Sequence, residues 1–124
     1  MDDKNQFDDI RRMLALAGDG VEKLEMVMDL GAHLAPIPAG ASCHEIAGCA
    51  SRVTLCRVGN RFYGSADAAI VRGIVAILIA MVDGHSADEI RHMDLAGEFA
   101  GLHLELGAGR LNGVDSMIRF LQNL

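Results

Sequence analysis

The sequence has no tryptophan, one tyrosine and four phenylalanines. So few rings offer no stacking platform for nucleic-acid bases. Positive charge is also scarce. Lys and Arg number 11 against 17 Asp and Glu, for a formal net charge of −6, and no basic cluster exceeds Arg11-Arg12. Nucleic acid is therefore not an expected partner. There are two prolines, Pro36 and Pro38, and no repeat or low-complexity linker. Cysteine is limited to Cys43, Cys49 and Cys56. An odd number without a secretory context reads as reduced thiols, not a disulfide framework. The acidic, polar opening Met1-Asp2-Asp3-Lys4 lacks a signal-peptide pattern, so the expected location is cytoplasmic. The longest apolar run, Ala68 to Val82, contains Arg72 and is too short for a comfortable bilayer span. It reads instead as a helix buried in the core, and no membrane is expected as a partner.

What is present supports one domain. The chain has 124 residues and is 51% apolar, enough for a real core over 1–124. Phe7, Ile10, Met13, Leu14 and Ala17 follow helical spacing. Asp19 with Glu22 resembles a capping box, opening a second helix through Leu34 with a face of Val21, Leu24, Val27, Met28 and Leu30. Arg52 to Val58 alternates like a strand, Gly59-Asn60 is a hairpin turn, and Arg61 to Ser65 is the returning strand. His44 to Ala47 adds a short third strand. Asp67 is the expected N-cap of the apolar helix, which Gly84 ends. Ser86 with Glu89 is a second capping box, for a short helix near Ile90. Leu102 to Leu106 alternates like a strand, whereas Glu98-Phe99-Ala100 suggests a helix; pattern alone leaves both open. Val114, Met117, Ile118 and Leu121 mark a closing helix. The expected class is α+β, a small antiparallel three-stranded sheet flanked by helices.

Chemistry concentrates in Ile46-Ala-Gly48-Cys49-Ala-Ser51-Arg52-Val53. Gly48 lets the backbone take a tight or positive-φ path, so Cys49 is presented at a loop tip before a strand. A thiolate there attacks disulfide-like sulfurs, at a rate set by its pKa and exposure.

With two further segments, Gly64-Ser-Ala-Asp67-Ala-Ala-Ile70-Val71-Arg72-Gly73 and Gly109-Arg110-Leu-Asn112-Gly113 followed by Met117-Ile118, this segment resembles the SufE/CsdE family of sulfur-acceptor proteins. The resemblance runs from about Leu24 to Leu121. Thr54 stands where the family usually has tryptophan, and Gly107-Ala108-Gly109 replaces a serine-proline-serine segment. The resemblance implies a SufE/NifU-like fold, with helix near Glu98–Leu104 against the alternation. It also implies a role. Cys49 accepts a persulfide sulfur from a pyridoxal-phosphate-dependent cysteine desulfurase of the SufS/CsdA kind, then delivers it to iron–sulfur cluster assembly, through a SufBCD-type scaffold. Such a protein stimulates the desulfurase rather than acting as a stand-alone enzyme, and needs no cofactor or metal of its own. Arg110 matches a family position and is the candidate stabiliser of the thiolate or persulfide. Gly48, Ser51 and Asp67 are the candidate hinge and supports of the loop. Family structure further implies that the cysteine tucks against an apolar surface at rest, here supplied by the Ala68–Val82 helix.

Blander readings stand beside these. Cys43 and Cys56 read as a loop thiol and a packed strand thiol. His44 reads as an exposed loop histidine, Arg52 as a solvated strand residue, and Glu22, Glu25 and Asp29 as a solvated helix face. An alternative function is a metal or iron–sulfur cluster scaffold using Cys43, Cys49 and Cys56 with His44. The Cys-x5-Cys-x6-Cys spacing lacks the close Cys-x2-Cys pair usual at such sites.

Overall fold

Two glycines let the central helices cross closely. The computed structural model describes residues 6–124, so the Met1–Lys4 opening lies outside the described residues. Helix α2 (Gly20–Ala32) meets α3 (Ala69–Val82) at Gly31 and Gly73. A Cβ on Gly31 would lie 2.5 Å from the Gly73 nitrogen, and one on Gly73 would overlap the Val27 carbonyl. Only hydrogen at both positions permits this approach. Val27 and Gly31 are buried in the contact, Leu24 and Leu30 are half-buried, and Val21 and Met28 of the expected face are exposed. Asp19 accepts the Glu22 N–H at 2.8 Å, but the Glu22 carboxylate turns to the Gly18 N–H, so only half of the expected box forms. The preceding helix α1 (Gln6–Ala15) adds Phe7 and Leu14 to the core.

Helix α3 is the buried centre that its composition requires: ten of its 14 residues are buried. Its N-cap is Ala68, without a side-chain bond, not Asp67. The Asp67 carboxylate instead accepts the Arg52 N–H at 3.0 Å, across from the helix it was expected to cap.

The sheet is antiparallel, in the order β1 (Ser42–Glu45), β2 (Val53–Val58), β3 (Arg61–Ala66). Gly59 turns the β2–β3 hairpin at φ +59°. Val53, Leu55, Phe62 and Gly64 share the buried face, and α3 packs there closely enough that a Cβ on Gly64 would reach 2.6 Å from Val75 Cγ1. On the other face, Cys43 and Cys56 stand opposite each other in register. They are not separate reduced thiols. They form a disulfide, with Cα atoms 4.0 Å apart. Counting cysteines cannot foresee this, because strand register brings the pair together.

Three further helices close the domain. Helix α4 (Ala87–Arg91) carries the complete Ser86–Glu89 capping box, α5 (Leu95–Ala100) is capped by Asp94, and α6 (Ala108–Leu121) ends the fold. Residues 103–106 form neither a strand nor a helix. The helix in this region precedes the Glu98–Leu104 expectation by a few residues. The alternation survives as burial, since Leu102 and Leu106 are buried while His103 and Glu105 are exposed. Val114, Met117, Ile118 and Leu121 are all buried on α6. The α+β class with a three-stranded antiparallel sheet flanked by helices is thus what forms.

Candidate functional site

The loop between β1 and β2 carries Cys49, and both of its ends are pinned. Ile46 N–H donates to the Val53 carbonyl at 2.9 Å, which extends the ladder beyond β1. Arg52 is held twice by Asp67: its N–H donates to the carboxylate, and its carbonyl accepts the Asp67 N–H at 3.3 Å. Asp67 thus bonds to the backbone at the end of the loop and does not cap the helix. Gly48 sits at φ +88°, and a Cβ there would fall 2.5 Å from Ser116 Oγ on α6.

The turn sends the Cys49 side chain inward. Its Sγ donates to the Gly113 carbonyl at 3.7 Å, and a Cβ on Gly113 would lie 3.5 Å from the sulfur. Beside it is a cavity of about 30 Å³. Ala50 and Ser51 line it from the loop, Val71 and Ile74 from α3, and Gly109, Arg110, Gly113 and Met117 from α6. One water needs about 10–15 Å³ of such space, so the cavity has room for a small group, and its largely apolar wall gives water few partners. Burial pushes the Cys49 thiol above its ordinary pKa. Its partner at Gly113 is an acceptor, which suits S–H and not a thiolate. The resting sulfur is half-buried, and its surroundings favour the protonated form.

Arg110 borders this cavity from the exposed first turn of α6, and Ser51 is half-buried at its edge. The apolar wall expected from α3 is present in Val71 and Ile74, and α6 closes the other side with Met117 and the backbone of Gly109 and Gly113. In the sequence Gly113 was part of a motif, and Met117 part of that motif and of the apolar face of the closing helix. Their service to Cys49 was hidden because the contact spans 64 residues. The other candidates lie elsewhere. Arg52 pairs with Glu45 at 3.3 Å on the exposed surface, and the His44 ring lies 5.3 Å from that of Phe120. A concavity of about 540 Å³ between α1, α2, β3 and α3 contains no cysteine.

A three-cysteine metal site does not assemble. Cys43 and Cys56 are bonded to each other, leaving Cys49 as the free cysteine. Among the described residues, no group of three or more His, Cys, Asp or Glu side chains is placed to hold a metal ion. Among them, too, no helix is long and apolar enough to cross a membrane.

Comparison with known proteins agrees with this architecture. The profile of SufE, the Fe-S metabolism associated domain, matches residues 8–124. An uncharacterised SufE-like protein of Rhizobium meliloti (strain 1021) is 34% identical over 129 residues, covering 94% of this chain and 92% of the relative. The sulfur acceptor protein CsdE of Escherichia coli (strain K12) is 32% identical over 105 residues, covering 77% and 71%. The solution structure of a hypothetical protein from Thermus thermophilus superposes with a TM-score of 0.78 at 17% identity, covering 97% of this chain and 93% of that one. With the profile spanning nearly all of the chain, this protein belongs to the SufE family.

Proposed function

We propose that residues 1–124 act as a single sulfur-acceptor domain. Cys49 takes sulfur from a cysteine desulfurase and passes it to iron–sulfur cluster assembly, by way of a SufBCD-type scaffold in the cytoplasm. The observation that carries this reading is Cys49 itself: a free thiol on a glycine hinge, facing an apolar space of about 30 Å³. Membership of the SufE family and likeness to the acceptor CsdE support it.

The transfer is thiol exchange. The Cys49 thiolate attacks the terminal sulfur of the desulfurase persulfide, that sulfur's bond to the donor cysteine breaks, and the donor leaves as a thiolate. Cys49 now carries the persulfide, and no net oxidation occurs. The resting geometry opposes the first step, because the thiol is half-buried, turned toward the cavity and bonded to a carbonyl. The partner must therefore favour the loop turned outward, a population shift driven by differential contacts. Outside the cavity, Arg110, which borders it, is the cation proposed to favour the thiolate. After loading, return of the loop places the outer sulfur in a space from which small thiols are excluded.

The test is intact mass after incubation with a desulfurase and cysteine. The wild-type chain should gain one sulfur, and Cys49→Ser should fold but gain none. A sulfur gained by Cys49→Ser would overturn the assignment.

A further inference from the structure

The disulfide joins the two strands that lead into and out of the Cys49 loop. Cys43 is on β1 and Cys56 on β2, opposite each other in register. Beyond them the ladder continues through His44–Leu55 and Glu45–Thr54 to the Ile46–Val53 bond at the base of the loop. The bond therefore closes a ring, with Cys49 at its far end. Its two sulfurs are not equivalent. Cys56 is in the central strand and 2% exposed. Cys43 is on the edge strand, where all four residues are exposed.

We propose that Cys43–Cys56 is a reversible dithiol–disulfide site whose redox state sets how firmly the Cys49 loop is held closed. Its reaction partner is a dithiol reductant. A thiolate of that reductant approaches from beyond the open edge of β1, the side on which Cys43 faces no further strand. It attacks Cys43 Sγ, the Cys43–Cys56 bond breaks, and Cys56 leaves as a thiolate that takes up a proton. The second thiol of the reductant then attacks its own sulfur in the mixed disulfide and releases Cys43. Two electrons pass to the pair, and the reductant departs as a disulfide.

The consequence for Cys49 follows from connectivity. In the oxidised form, β1 cannot part from β2, and the loop opens only through Gly48 and its neighbours. In the reduced form β1 is a four-residue edge strand held by hydrogen bonds alone, and short edge elements open locally at low cost. The reduced protein exposes Cys49 more often. This coupling of the disulfide to the loop does not rest on the acceptor reading.

The experiment follows Cys49 alkylation by iodoacetamide, mapped by peptide, in the purified native chain before and after dithiothreitol. Denatured without reductant, the protein should alkylate at Cys49 alone, and at all three cysteines after reduction. Reduction should raise the native Cys49 rate at least about threefold by freeing the edge strand. A Cys43→Ala/Cys56→Ala variant should show the raised rate without dithiothreitol and no response to it. If that variant fails to fold, reduced wild type supplies the comparison. Three reactive thiols before reduction, or a Cys49 rate indifferent to reduction, would overturn the proposal. Neither result depends on sulfur transfer, so failure here is separable from failure of the acceptor reading.

Discussion

At Gly48 two constraints fall on a single Cβ: a φ of +88° and the Ser116 hydroxyl 2.5 Å away. A left-handed conformation costs a non-glycine residue about 1–2 kcal/mol, and a β-branched one fits it worst. Gly48→Val should lower the urea-unfolding free energy by that order while reducing sulfur uptake by about tenfold or more, since small displacements of reacting atoms are costly. Equal losses of stability and uptake would deny Gly48 a role as hinge. Cys49 makes a prediction in pH. Burial raises its folded pKa above the ordinary thiol value, so the native state binds its proton more tightly than the unfolded state does. The resulting stability is complete below the unfolded thiol's pKa and is lost as pH rises through the folded one. In stopped alkylation assays, the native Cys49 rate should keep climbing at pH values where denatured Cys49 has levelled off. The loop was legible because glycine, cysteine and small residues in that order mark a turn, but the thiol faces inward instead of being presented at its tip. Gly113 was not, because nothing in a local pattern says which distant backbone will meet a side chain.

The β1–loop–β2 unit combines what the sequence made visible with what it did not. Alternation from Arg52 to Val58 and the Gly59-Asn60 turn located β2 and β3 to within a residue, because side-chain period and turn chemistry are local, whereas β1 lies two residues before the expected His44–Ala47. The disulfide depends on register, which pairs Cys43 with Cys56 only once β1 is aligned. Asp67 shows a similar limit. Its position before a helix suggested a cap, but the carboxylate has a competing donor in Arg52 N–H, 15 residues earlier in the chain. Residues 103–106 alternate because one side faces the core, and alternating burial needs no ladder. The disulfide spans 13 residues, and bridges over loops of that size typically contribute about 2–4 kcal/mol. Urea titrations with and without a phosphine reductant, Cys49 being blocked beforehand, should differ by this amount. Coincident curves would mean that the bond is not formed in solution.

Across the whole molecule, the α2–α3 crossing sets the distance on which the other contacts rest. Gly73→Ala would drive a methyl group into the Val27 carbonyl, and overpacking of this kind costs about 1–3 kcal/mol. Thermal unfolding should show the loss, whereas Gly40→Ala, with open space around it but the same positive φ, should show only backbone strain. A midpoint unchanged in Gly73→Ala would mean that the crossing is looser than described. Cys49 reaches its shelter across 64 residues of chain, on the last helix of the fold. At about 5–20 residues per second of synthesis, roughly 3–13 s separate the two, not counting passage through the ribosome. Throughout that interval the thiol has left the decoding centre but its lid support has not. A nascent chain is thus a naked thiol before it is an acceptor, and a ribosome stalled ahead of α6 releases a product open to oxidants.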